Sequence, residues 1–363
     1  HNAIWIEDRG PGPDVAYDWG RFDFDQEDFI PRFVRGEMLY WMARSDPQSM
    51  IDAYVRYNRT VKIQELRLTP DQRVRLRDYV EWHALPENRH YRYDYFLDNC
   101  STRVRDALDL ALGGLLREAW EGERSRRTWR DMVREVTEVA FGEYLALDIL
   151  MGPRTDRTVT AWEEAFIPMD LRDRIREVTV PGPDGAPRPL VISEEVYFQA
   201  DRPDVEGRSR AFLPFVLLLS ILLGGGAVLM ARAAIGGRRR LRWGVATVAG
   251  AWGLVSGILG ALMLFMWLFT EHHFAHRNLN LLQLSPLGLA LAVLVPLQVL
   301  KESPGGAALR LAGAAVLLSL IGALLAPLPW VAQSSALAIA LSLPLHLGVW
   351  WSLRMLYSPA SPG

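Results

Sequence analysis

Residues 211–230 read AFLPFVLLLSILLGGGAVLM, a stretch without a single charge. A helix rises about 1.5 Å per residue, so roughly 20 apolar residues cross the ~30 Å of hydrocarbon in a bilayer. This stretch is long enough. Residues 243–270, 278–300, 311–330 and 331–353 also contain no Asp, Glu, Lys or Arg. Helices of soluble proteins normally show a polar stripe, and a soluble fold would have to hide all five charge-free runs. The expectation is an all-α transmembrane bundle of about five helices over residues 211–363.

Upstream of residue 211 the composition changes. The chain as a whole is half apolar with a formal net charge of −2, but that average joins two unlike parts. Residues 1–210 are rich in charge, with Trp, Tyr and Phe scattered as a globular core requires. No nucleic-acid partner is expected. Positive loops stay on the cytoplasmic side. Arg238, Arg239, Arg240 and Arg242 follow the first run, Lys301 and Arg310 flank the third loop, and Arg354 follows the last run, whereas Arg277 stands alone in the second loop. Residues 1–210 therefore read as a domain on the periplasmic or extracellular side of a multi-pass cell (inner) membrane protein. An exported domain needs a targeting segment, so residues upstream of His1 are expected.

Within that domain, residues 3–7 and 15–19 alternate as half-buried strands do, around a Gly- and Pro-containing turn at residues 9–14. Helical spacing of apolar positions predicts helices over residues 29–43 and 70–85, and residues 51–68 read as more strand-like. Tyr91, Tyr93 and Tyr95 share one parity and lead into Asp98, Asn99 and Cys100. From Ser101 the spacing becomes helical, with Gly113 and Gly114 as a stop. Further helices are expected over residues 128–151 and 161–178, then a turn at residues 181–189 and a polar lead at 193–210. The reading is α+β.

Cys100 is the only cysteine, so no intramolecular disulfide forms. It stands at a predicted helix start, where exposed N–H groups and the positive end of the dipole favour thiolate. A partner imidazole would take its proton. His1, His83 and His90 are the candidates. His1 is the best placed, at a strand start beside Asn2, with a neighbouring strand able to carry an orienting Asp18 or, next in order, Asp23. The bland alternative is a small buried side chain, since free cysteine is often just that. No metal site and no cofactor are read from the chain.

Three segments resemble a known family. Tyr93-Asp94-Tyr95-Phe96-Leu97-Asp98-Asn99-Cys100-Ser101-Thr102-Arg103 looks like the Asn-Cys-Ser/Thr-Thr motif of the bacterial family that includes lipoprotein N-acyltransferase B. Tyr17-Asp18-Trp19-Gly20-Arg21-Phe22-Asp23-Phe24 and residues 36–41 resemble two further family segments, with Asp18 where Asn is usual. Gly152, Asp156 and Phe166 fit as well. In the membrane half, Glu271-His272 and Asn278-Leu279-Asn280-Leu281-Leu282 are similar to the family's Asp-His and Asn-x-Asn-Leu-Leu.

The resemblance implies a permuted papain-like soluble domain, with His early on a strand and Cys later at a helix start. It implies a thiol-dependent acyltransferase acting on a lipid or lipoprotein ester, with Cys100 as nucleophile, His1 as base then acid, and Asp18 as orienter. Asn99, Ser101, Thr102, Tyr95 and Asn2 would support the site, Asn99 through the oxyanion and Ser101 and Thr102 as helix caps. His272, Asn278 and Asn280 are candidates at the membrane interface, where polar groups are costly. The alternatives are a cysteine hydrolase of lipid or peptide bonds and a non-enzymatic envelope scaffold.

Overall fold

The computed structural model describes residues 1–7, 10, 12–182, 184–202, 212–235, 237–301 and 306–357. The turn expected at 9–14, the polar lead ending at 210 and the start of the first apolar run at 211 fall partly outside them. The protein is a mixed α+β chain with two units: His1–Trp129 with Thr158–Asp204, and Arg130–Arg157 with Val205–Gly363. A boundary at residue 210 does not separate these units, because residues 130–157 belong with the apolar helices.

In the first unit the alternation at the start of the chain forms a hairpin, β1 (Ala3–Ile6) and β2 (Val15–Arg21), paired antiparallel with Ala3 opposite Asp18. Extending that register places His1 level with Gly20. The helix expected over 29–43 is instead a short α1 (Phe29–Arg35) and a strand β3 (Leu39–Ser45). Gly36, at φ 76°, ends the helix in a conformation that favours glycine. Likewise residues 51–68 divide into α2 (Pro47–Arg56), with Pro at its first turn and Asp46 as cap, and β4 (Val61–Leu66).

The helix α3 (Pro70–His83) begins with a Thr69–Gln72 capping box. A short β5 (His90–Arg92) pairs with β3, so the sheet order is β1-β2-β3-β5, antiparallel throughout. Against β2 packs α4 (Cys100–Ala111), which buries Val104, Ala107, Leu108 and Ala111 and is followed by Gly113 and Gly114 in positive-φ conformation. Trp19, Tyr17, Met42, Val80 and Leu116 occupy the centre of this core. The segment read as a polar lead begins as a strand, Val191–Phe198, paired antiparallel with β4.

The second unit contains the apolar helices Leu213–Ala234, Arg239–Phe269, Gly306–Leu325 and Ala336–Tyr357, each long enough to cross a bilayer, and a shorter one, Gly288–Lys301. The third run was expected to be helical from residue 278. It is not, because Asn278 folds its side chain onto the N–H of Asn280 and the chain makes a 3-10 turn, Leu279–Leu282, before Pro286 and the helix proper. Polar side chains hold the helices together where hydrocarbon offers no partner. Ser342 donates to Gln283 Oε1 (2.8 Å), His346 Nε2 to the Gln283 carbonyl (2.8 Å), and Trp252 Nε1 to His346 Nδ1 (3.2 Å).

Residues 130–157 break at Ala140 into helices Trp129–Thr137 and Phe141–Leu150. Arg130, 0 % exposed, bonds Asp156 (2.8 and 2.9 Å), Asp148 (3.3 Å) and the Met151 carbonyl (2.8 Å). Gly152 is forced by space, since a Cβ there would lie 2.4 Å from the His276 carbonyl oxygen. Removing one partner of a buried ion network strands the rest. Arg130→Met is therefore expected to destabilise the protein by about 3 kcal/mol, seen as a lower melting temperature of the purified full chain. An unchanged melting temperature would mean that the network is energetically neutral.

Candidate active site

Cys100 opens α4 because Asn99 caps it. The Asn99 carboxamide oxygen accepts the N–H groups of Ser101 (2.8 Å) and Thr102 (2.9 Å), and Thr102 Oγ1 accepts the Asn99 N–H (2.7 Å), a reciprocal capping box. Asn99 Nδ2 donates to the carbonyls of Tyr95 (2.9 Å) and Phe166 (3.0 Å). Both amide protons are thus engaged, so the expected oxyanion role does not fall to the Asn99 side chain. The cap takes the N–H groups of Ser101 and Thr102 and does not take that of Cys100.

Of the three candidate histidines, the structure brings His1 to the thiol. His1 Nε2 lies 3.0 Å from Asp18 Oδ2, and the Cys100 side chain is near enough to the ring to raise its pKa. With Nε2 on the carboxylate, Nδ1 is the nitrogen available to sulfur. Tyr54 stacks against the imidazole at 6.1 Å between centroids. Burial alone would lower the His1 pKa, but the hydrogen bonds to Asp18 and Cys100 outweigh it and raise it to about 9.

Asp18 is fully buried and is held by Arg21, whose Nε donates to Oδ2 (2.6 Å) and whose second nitrogen donates to Oδ1 (3.2 Å). Burial opposes its ionisation, yet the bonds to His1 and Arg21 prevail and hold its pKa below the usual carboxylate range. Asp23, the other candidate orienter, is exposed and accepts the Asp25 N–H. His83 is unsuited to act as base. Trp19 donates to its Nδ1 (3.2 Å), Arg103 stands 3.3 Å from Nε2, and burial with the Arg103 charge lowers its pKa to about 4. His90 is exposed on β5.

The remaining expected residues frame the site. Asn2 donates to Ser101 Oγ (3.1 Å), tying β1 to α4, and Ser101 Oγ donates to the Ala165 carbonyl (2.7 Å). Ser101 is therefore a strut, while Thr102 takes part in the capping as expected, by accepting the Asn99 N–H. Tyr95 supplies its carbonyl to Asn99 and points its hydroxyl at Met38 sulfur (3.3 Å). Asn278 and Asn280, both buried in the second unit, donate to the Ile149 carbonyl (2.8 and 2.9 Å). His272 also belongs to that unit.

Two features were not read from the sequence. Between Asp18 and Arg21 the β2–β3 register slips by one residue, a bulge in which Gly20 takes φ 90°. A Cβ at Gly20 would lie 3.4 Å from Cys100 Cβ, 3.9 Å from Tyr91 Oη and 3.9 Å from the Tyr93 ring. The missing side chain thus leaves space beside the thiol. The Tyr91 hydroxyl borders that space, on a residue only 7 % exposed, and has no hydrogen-bond partner. A buried unpaired hydroxyl is costly, and in the sequence only its parity with Tyr93 and Tyr95 hinted at it.

Fold and site together define a membrane protein whose mixed α+β unit holds a thiol, an imidazole and a buried carboxylate in series. The chain belongs to the Lnb family: residues 1–135 match the Lnb N-terminal periplasmic domain and residues 207–355 match the Lnb transmembrane domain. Its N-terminal part is thus periplasmic and its C-terminal part membrane-embedded. No curated protein and no solved structure matches it.

Proposed function

We propose that the protein is an inner-membrane cysteine acyltransferase that takes an acyl chain from a lipid or lipoprotein ester and passes it to an amine, the N-terminal amine of a lipoprotein being the acceptor that the family resemblance implies. The observation that carries this reading is the His1 ring, held 3.0 Å from the buried Asp18 carboxylate with the Cys100 side chain close enough to raise its pKa. His just before an early strand and Cys at a later helix start is also the order of a permuted papain-like fold.

The imidazole takes the thiol proton, and the thiolate attacks the ester carbonyl. The oxyanion is met by the free Cys100 N–H and by the Tyr91 hydroxyl across the Gly20 space. On collapse the C–O bond breaks, His1 protonates the leaving alkoxide, and a thioester remains on Cys100. An amine then attacks the thioester, His1 accepts its proton, and the C–S bond breaks to give amide and thiolate.

Tyr91→Phe removes one oxyanion donor and little else, so kcat should fall about a hundredfold while KM and the rate of Cys100 alkylation by iodoacetamide stay near wild type. Equal kcat values would remove Tyr91 from the chemistry. The reaction itself is tested by mass spectrometry of a lipoprotein N-terminal peptide from cells lacking their own N-acylation, supplied with this protein or with Cys100→Ala. Transfer of one acyl chain from glycerol to the amine, absent in the variant, is expected. Release of free fatty acid without N-acylation would make it a hydrolase, and an unchanged peptide would refute both.

A further inference from the structure

Aromatic rings run in contact with one another from the Gly20 space beside Cys100 to the surface of the first unit. Tyr93, at the Gly20 space beside Cys100, meets Tyr40 with centroids 4.4 Å apart. Tyr40 stacks on Phe22 (5.1 Å), and Phe22 meets Phe24 (5.2 Å) and Phe29 (5.7 Å). The inner end is covered, Tyr40 being buried, but the outer end is open: Phe24 is 70 % and Ile30 60 % exposed, with Phe22, Phe33 and Val34 also exposed. Ile30, Phe33 and Val34 stand at i, i+3 and i+4, so they share one face of α1. A contiguous apolar surface of this kind marks an interaction site.

Three observations choose the occupant. The ring contacts that begin at this surface lead to the Gly20 space beside Cys100. The segment between β2 and α1 carries Asp23, Asp25, Glu27 and Asp28, with Arg32 and Arg35 at the far end of α1, so the exposed side chains Phe22, Phe24, Ile30, Phe33 and Val34, rather than a concentration of positive charge, set the matching chemistry as hydrocarbon. The same chain is embedded in a membrane, so acyl chains are at hand.

We propose that this ring series is the binding track for the hydrocarbon chain of the acyl donor, with the ester carbonyl at Cys100 and the distal carbons over Phe22, Phe24 and the exposed face of α1. The proposal rests on the acyl-transfer reading. It adds that the enzyme selects long chains by apolar contact along a defined path.

The test uses the full-length Cys100→Ala protein in phosphatidylcholine nanodiscs with phosphatidylcholine probes carrying a diazirine near the carbonyl or near the end of one acyl chain. Crosslinks should fall on Tyr40 and Tyr93 with the first probe and on residues 22–34 with the second. In parallel, the Cys100 protein and its Phe24→Ser/Phe33→Ser variant are compared on palmitoyl and butyryl esters. The variant should lose about tenfold on palmitoyl and nothing on butyryl, which also shows that it is folded. Labelling of residues 22–34 by both probes alike would reduce the patch to bilayer contact and overturn the track. So would wild-type acyl transfer with an unaltered chain-length preference in the variant. Ordered labelling with no acyl transfer by the Cys100 protein would uphold a lipid track and sink the transferase reading instead.

Discussion

Replacing Cys100 with alanine should abolish acyl transfer, lowering kcat by about 10⁶, to the limit of detection. The thiol forms the covalent bond, and no second cysteine can substitute for it. The fold should survive, because Cys100 is only partly buried and the cap of α4 is made by Asn99 and Thr102 rather than by sulfur. Cys100→Ser should fare almost as badly. A hydroxyl gives up its proton to an imidazole far less readily than a thiol does, so the geometry is kept and the nucleophile is not. Activity of Cys100→Ala within tenfold of wild type, measured as N-acylated peptide, would exclude covalent catalysis at this residue.

The second large effect is expected at Asp18. Asp18→Ala frees His1 to rotate and leaves Arg21 without its carboxylate, so kcat should fall about a thousandfold. Asp18→Asn is different in kind. A carboxamide oxygen can still accept the ring N–H, and Asn is the residue that the resembling family usually has here, so orientation is retained. What changes is charge. In the native protein the hydrogen bond and charge of Asp18 help to hold the His1 pKa at about 9. Imidazolium, the acid for the leaving alkoxide, therefore persists up to that pH, and the rate should fall as pH rises through about 9. Without the negative charge the folded pKa drops, so the alkaline limb of kcat should move toward neutral pH while the maximal rate changes by only a fewfold. A pH–rate profile reads both. An alkaline limb at the same pH in Asp18→Asn would mean that another group sets it.

How much of this was legible in the sequence follows from which interactions leave a local trace. Long charge-free runs are dictated by hydrocarbon, so the apolar helices could be read directly. The exception was residues 278–287, where Asn278 and Pro286 divert the chain and hydropathy is blind to the diversion. The helix start at Cys100 was legible, but its cap was expected from Ser101 and Thr102, whereas Asn99 is the N-cap and Thr102 completes its box. The pairing of His1 with Asp18 was readable because a hairpin register brings two strands together over a short span of chain.

Other features depend on distant partners. Residues 130–157 belong with the apolar helices, helped by Asn278 and Asn280 bonding the Ile149 carbonyl more than a hundred residues away. Nothing periodic in the sequence marks such contacts. Residues 29–43 carried helical spacing, yet Leu39–Ser45 is a strand, since pairing with β2 and β5 outweighs local preference. Tyr91 is the clearest case. Its sequence neighbourhood reads as packing, and its unpaired hydroxyl faces the space left at Gly20 beside Cys100.

The central claim is that Cys100 carries the acyl group. It is tested most directly by mixing the purified protein with a diacylated lipopeptide bearing a deuterated acyl chain, quenching in acid during turnover and mapping the peptide that contains Cys100. The account predicts a mass increase of one labelled acyl chain on Cys100, released by neutral hydroxylamine as a thioester should be. N-acylated product forming at the full rate with no label ever on Cys100 would contradict it.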